Sequence, residues 1–466
     1  MDRRQFLRLG TVACASTLAH PGCDRRESSA PQPAPPPAPD PVRELTIALH
    51  DSLDEATRRA CCVGYDHPLR QYHNRGVEAG GVLMRGSHFT SEQLELLQRL
   101  FLAGLSEAGR EIIPQQTFLR FGGIWSLRLL IAGDPRREHY QVIMSGPHLN
   151  LRLGGKNREG VAFGGPQIYG DQQGNERQGL PGNKYREQFL LGDRLFHSLG
   201  ANAQRQALLE RAPIQTQIEL QGRSGRFPGV ALRDCGDASQ RLATELIDHI
   251  FKAYPPADVA YAWQCLRENG GVGALHASFY RDGEVDGSGQ YQTFRLEGPA
   301  AVFYFLGAPH VHAFVNVAMD GERPLSVGPV VGENRSWLRG PGVKRFFEAV
   351  LREHCGTELS YYELEGAVGV LRPGVIREGD IYNLESWQNG VAVVTATGAQ
   401  LTGRWATEQR KRGAALAAER DYRIATTSYL AGEQLAEVFG QGAVEKRDTS
   451  LRDAAIAFAR KHGFAV

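Results

Sequence analysis

Four apolar runs, at 273–281, 290–296, 300–306 and 310–317, follow one another at hairpin spacing in the second half of this chain. Strands separated by so few residues pair antiparallel, because a parallel pair needs a crossover of a dozen residues or more. Three further strand-like runs lie upstream, at 125–132, 140–145 and 149–153, the last after a break at Gly146-Pro147. Helical periodicity is confined to its own blocks. Apolar Leu94, Leu97, Leu100, Phe101 and Leu105, with Thr90 and Ser91 as caps, predict a helix over 90–109. Others are predicted over 185–199, 203–211 and 238–253. Helices grouped in blocks, with strands at hairpin spacing, argue for an α+β fold over a doubly wound sheet. With 466 residues there is room for two or three domains, each burying its own core.

The two ends have a different character. Residues 1–23 read as an export signal: Asp2, Arg3, Arg4, Gln5, Phe6, Leu7 and Arg8 precede an apolar run, Leu9 to Ala19, too short to span a bilayer. The arginine pair resembles the twin-arginine signal and implies a periplasmic or cell-envelope location. Cleavage after Ala19 would release a soluble protein, whereas Gly22-Cys23 followed by a polar tail offers a lipid anchor at Cys23. Residues 24–43, rich in proline, cannot build a core and read as an extended spacer. Beyond Cys23 five cysteines remain, Cys61, Cys62, Cys235, Cys265 and Cys355, of which Cys235 and Cys265 could be bridged. A formal net charge of +1 excludes a charge-driven role on nucleic acid or anionic membrane.

Two family resemblances divide the rest. Gly146-Pro147-His148-Leu149-Asn150-Leu151, Phe163-Gly164-Gly165-Pro166, the helix with Leu195, Phe196, Ser198 and Leu199, and Leu296-Glu297-Gly298-Pro299 leading to His310-Val311-His312 resemble a bacterial family known only as domain of unknown function 3500. That resemblance implies a central domain over 44–335 and supplies no chemistry. Farther on, Gly374, Ile376 and Gly379-Asp380-Ile381-Tyr382, then Thr397-Gly398-Ala399-Gln400-Leu401 as a helix start, then Tyr422-Arg423-Ile424-Ala425-Thr426 and Tyr429-Leu430-Ala431 as a strand, resemble the 5'-nucleotidase C-terminal domain. A closing helix from Leu451 to His462 completes the match, which implies a smaller α/β domain over 340–466.

The second resemblance is degenerate. Val368 falls where the family places a phosphate-gripping arginine, and Gly432-Glu433-Gln434-Leu435 replaces a glycine-rich turn. Trp387 with Asn389 stands in place of the base-stacking motif, so Trp387 could stack on a purine, and Arg372 or Arg377 could replace the lost arginine. The metal-ligand sets of the phosphatase half, Asp-x-His, Asn-His-Glu and Gly-His-x-His, do not precede the module, so 5'-nucleotidase activity by this chain alone is not expected.

The histidines of the central region carry the remaining chemistry. Residues two apart on a strand face one side, so His310 and His312 project together and could give two ligands of a metal, with His148 the natural third. His276 and Glu297 are weaker additions. Zinc or copper would suit imidazoles best. The same residues could equally be hydrogen-bonded sheet residues or a polar site for a small organic ligand. Glycine pairs 154–155, 164–165 and 270–271 lack phosphate-loop spacing and read as hairpin turns. Two functions stay open: an exported hydrolase acting on a phosphoester or nucleotide-like compound at the histidines, or a periplasmic ligand-binding or scaffold protein that turns nothing over.

Overall fold

The computed structural model describes residues 40–73, 80–121, 123–154, 160–172 and 179–465; the export signal, Cys23 and nearly all of the proline-rich spacer lie outside them. The fold is α+β. Among the described residues twelve strands join one sheet. They are β1 (Cys62–Val63), β2 (Val82–Leu83), β3 (Arg128–Gly133), β4 (Tyr140–Gly146), β5 (Leu149–Leu153), β6 (Gln167–Asp171), β7 (Leu208–Leu209), β8 (Val230–Ala231), β9 (His276–Tyr280), β10 (Thr293–Gly298), β11 (Ala301–Leu306) and β12 (Val311–Val317). Two antiparallel meanders, β3-β4-β5-β6 and β9-β10-β11-β12, meet where β6 pairs with β12. That seam brings residue 148 and residues 310–312 together across about 160 residues of chain.

The two faces of the sheet differ. Leu129, Ile131, Val142, Met144, Leu151, Tyr169, Ala313, Val315, Phe303 and Phe294 alternate onto one face, which the helices Pro41–Ser52, Ser91–Ala103, Arg186–Ser198, Asp237–Phe251 and Pro256–Glu268 cover with Leu49, Leu97, Phe189, Leu246 and Leu266. The intervening positions mix apolar Leu130, Ile143, Ile168, Val302, Tyr304 and Phe314 with Gln141, Ser145, Asn150, Arg152, Ser278, Arg295, Glu297, His312 and Asn316, all buried. A polar face hidden from water has to be satisfied by what packs on it. Arg152 shows how: its guanidinium donates to the carbonyls of Pro166, Arg70 and Tyr72 and to the Gln141 side chain, tying the 70–72 segment to the sheet.

The predicted helix over 90–109 is broken. Thr90 and Gln93 form a capping box, but the helix ends at Ala103 and a second one, Glu107–Phe121, begins after Ser106, whose hydroxyl accepts from the Gly109 amide. Gly104 packs so close to Leu153 that a Cβ there would lie 2.2 Å from Leu153 Cδ2. The run 203–211 shortens to the helix Ala201–Ala207 followed by β7, and Trp125 lies in a 3₁₀ turn before β3. All five cysteines are free thiols, so Cys235 and Cys265 are not bridged.

C-terminal to the large sheet come β13 (Val330–Asn334), β14 (Leu359–Ser360), β15 (Gly374–Arg377), β16 (Gly390–Thr397), β17 (Asp421–Thr427) and β18 (Ala443–Ser450). A sheet of order β14-β17-β16-β18 packs on the helices Pro341–Cys355 and Leu451–His462 around Phe346, Phe347, Val391, Val393 and Ala455. The closing helix has the predicted bounds, with Ser450 as its cap. Two details differ from expectation. Thr397 and Gln400 bond reciprocally in a turn, and the helix starts only at Arg404; Tyr429-Leu430-Ala431 belong to a short helix, Ser428–Ala431, rather than to β17. Residues 40–466 form one compact unit, into which all three sheets, the β13-β15 pair included, are packed.

Candidate metal centre and ligand cavities

His148 occupies the β4–β5 turn with φ of 60°, a left-handed conformation that swings its ring back over the sheet. His310 ends the β11–β12 turn, half-buried, and His312 is the second residue of β12. Leu149 pairs with Tyr169 on β6, and the next β6 residue, Gly170, pairs with His312. Gly170 is therefore the floor between the two histidines. The rings of His148 and His312 stack above it with centroids 4.8 Å apart and planes 22° apart. A Cβ at Gly170 would stand 3.0 Å from His148 Cδ2 and 2.2 Å from the Val311 carbonyl oxygen. The site exists because that strand position has no side chain.

The three Nε2 atoms converge. His148 Nε2 is 2.9 Å from His310 Nε2, which is 3.0 Å from His312 Nε2. Hydrogen bonding explains such a cluster poorly: a neutral imidazole nitrogen has either one N–H or one in-plane lone pair, and His310 Nε2 would have to serve two partners with it. A Lewis acid explains it well. Two nitrogens each about 2.1 Å from one ion lie about 3.0 Å apart at a right angle and about 3.4 Å apart at the tetrahedral angle. The two spacings at His310 match the first and need a few tenths of an ångström to reach the second, and all three ligand atoms lie within 4.8 Å of one another. Asn150, two residues on and one residue into β5, is fully buried with neither side-chain amide atom hydrogen-bonded. An orphaned amide on the histidines' side of the sheet is what a bound water or ligand would satisfy.

His276 and Glu297 do not join this cluster. They face each other across β9 and β10, and the Glu297 carboxylate accepts from Arg295 Nη2 at 2.9 Å and Gln221 Nε2 at 2.8 Å.

The C-terminal candidates separate. Trp387 and Tyr429, 44% and 39% exposed, stand at one cavity of about 860 Å³, mouth included, with Asn389 and Thr427. Trp387 donates its indole N–H to the Gly366 carbonyl, and Asn389 donates to Glu385. Glu363, which is ion-paired with Arg404, and Glu365 line the same cavity, and among the described residues no basic one does. Arg372 and Arg377 are elsewhere: Arg372 donates to the Glu322 carbonyl and Arg377 to the Gly328 carbonyl, so neither replaces the arginine whose position Val368 fills. Val368 is buried.

Arg372 belongs to a second cavity, of about 680 Å³ with its mouth, between the polar face of the large sheet and the C-terminal sheets. Asp380 lies there, accepting from Gln71, Ser326 and the Arg377 amide, and burial pushes its carboxyl upward. His73 is held down to about 4, first by burial and then by the Arg152 charge. Glu219, half-buried and lining the cavity, is pushed up to about 7 by burial, against the pull of Arg295 and Arg339. Gly170 and Glu219 carry geometry that no motif announced, and Asn150 and Tyr429, quoted above only for family resemblance, gain a place at the histidines and at the aromatic cavity.

No protein-family profile matches the sequence, and no curated protein does. Solved structures with some similarity include a 5'-nucleotidase precursor from Thermus thermophilus (12% identity, 40% of this chain and 51% of that one, TM-score 0.25). Others are the Haemophilus influenzae NAD nucleotidase (11%, 41% and 55%, 0.24) and a putative 5'-nucleotidase from Staphylococcus aureus (10%, 38% and 49%, 0.22). The matched region spans about half the length of each of those chains. Scores this low carry no argument about fold or function, which rest on the geometry above.

Proposed function

We propose that this is an exported transition-metal protein whose centre is His148, His310 and His312, with zinc or copper as the ion. The observation that carries the reading is the convergence of three Nε2 atoms over a side-chain-free strand position. Three imidazoles leave coordination positions open, and an ion held that way can activate water for hydrolysis of a small ester or phosphoester. The degenerate nucleotidase-type module would add a nucleoside-sized group recognised on Trp387 and Tyr429. A ligand-binding role without turnover is favoured by one feature, the carboxylates in place of arginine at that aromatic cavity. The resemblance to the uncharacterised bacterial family and the twin-arginine signal are consistent with both roles.

The test is elemental analysis of protein purified from metal-replete cells without chelators. One equivalent of zinc or copper per chain is expected in the wild type and almost none in His310→Ala, which has too few donors left. A metal-free wild type, or a variant that keeps its metal, would overturn the assignment.

A further inference from the structure

A third cavity, of about 700 Å³ with its mouth, opens on the polar face at β9 and β10. Its floor is Tyr280 and Arg295, its rim Arg211, Arg226 and Arg339. Tyr280 is 1% exposed and lines the cavity; its hydroxyl makes no close hydrogen bond, and the Ser278 hydroxyl that interacts with it already donates to the Pro228 carbonyl. Burial pushes that phenol up to about 12, so it remains an O–H donor near neutral pH. Arg295 is 6% exposed; Nη1 donates to the Gln217 carbonyl and Nη2 to Glu297, and Nε has no partner. The rim arginines are exposed, and none has a carboxylate within ion-pair distance among the described residues; Arg339 stacks on Trp337 instead. Arg295 and the three rim arginines face two carboxyls, Glu297, committed to Arg295, and Glu219. Buried unmatched donors and unpaired guanidiniums around one space call for an anion with several acceptor oxygens.

We propose that this cavity binds a phosphate-class oxyanion, inorganic phosphate or the phosphoryl end of a small phosphomonoester, with Tyr280 and Arg295 at its base and Arg226 and Arg339 closing on it. The C-terminal part of the chain completes the site, because Arg339 and Val370 come from it. It is separate from the histidine centre. In strand coordinates Arg295 and His312 are two strands and two residues apart, about 12 Å, and Tyr304, Leu306 and Phe314 pack on the same face.

Isothermal titration of the purified full chain with inorganic phosphate at constant ionic strength tests this. Saturable binding is expected, weakened at least about tenfold in Arg226→Ala/Arg339→Ala and in Tyr280→Phe. The rim pair has no structural bonds to lose beyond the Trp337 stack, so the double variant keeps its fold. Three results would overturn the proposal: no saturable binding, a double variant that binds like wild type, or succinate binding as tightly as phosphate. His310→Ala must leave the titration unchanged; loss of binding there would place the phosphate on the metal instead and overturn it as well.

Discussion

Replacing Glu219 by glutamine should make the protein more stable at neutral pH and leave it unchanged in acid. The carboxyl is pushed up to about 7 in the folded chain from a reference of 4.5, chiefly by burial. A carboxyl with a raised folded pKa holds its proton in the native state after the unfolded chain has lost it. Between pH 4.5 and 7 the native state therefore binds more protons, and stability falls as pH rises. Every tenfold difference in proton affinity between folded and unfolded chain is worth about 1.4 kcal/mol, so the penalty approaches about 3 kcal/mol above neutrality. Glutamine keeps the shape and removes the ionisation. His73, held down to about 4, pulls the other way: its buried neutral ring costs stability as pH falls from 6.5, so the two slopes oppose each other in the wild type. The difference between variant and wild type isolates Glu219, because His73, Asp380 and Glu385 are present in both. Urea unfolding at pH 4.5, 6 and 8 should give a gap near zero, then growing, then about 2–3 kcal/mol in the variant's favour. A gap independent of pH, or one that favours the wild type at pH 8, would refute the burial argument.

Gly170→Ala should cost about 1–3 kcal/mol through the contact with the Val311 carbonyl and displace the His148 ring, lowering metal affinity at least about tenfold. Calorimetric zinc titration of folded variant and wild type checks it, and equal affinities would remove Gly170 from the site. At the Trp387–Tyr429 cavity adenosine should bind more tightly than AMP, since Glu365 repels a phosphate, Arg404 is already committed to Glu363, and among the described residues no cation lines the space itself. Trp387→Ala should weaken adenosine about tenfold or more by loss of stacking; tighter binding of AMP in a competition titration would contradict the electrostatic reading.

Much of this architecture is legible in local pattern. Hairpin spacing implies antiparallel order for β9 to β12, and the i, i+2 rule places His310 and His312 on one side, because both are properties of a single stretch of chain. The cap at Thr90 and the closing helix follow from residues within one turn of each other. What escaped are features set by neighbours distant in sequence. At the helix break Gly104 packs against Leu153, a contact that no periodicity within 90–109 could announce. Arg372 and Arg377 look available in sequence, but carbonyls at Glu322 and Gly328 hold them away from Trp387.

Gly170 shows the limit most clearly. In sequence it is one glycine inside a strand-like run, where a bulge or simple tolerance is the ordinary reading. Its role depends on two pairings at once, β5 on one side through Leu149–Tyr169 and β12 on the other through His312. Only when both are present does a missing Cβ become a space for two stacked imidazoles, and only then does His148, on a turn with positive φ, reach the other two rings. The alternation of the large sheet extends the same logic to its polar face. Buried polar residues there are paired by segments far away in the chain, as Arg152 is by Arg70 and Tyr72. Among the buried polar groups without a close partner, the Asn150 amide near the histidines and Arg295 Nε under the arginines lie where a ligand could supply it.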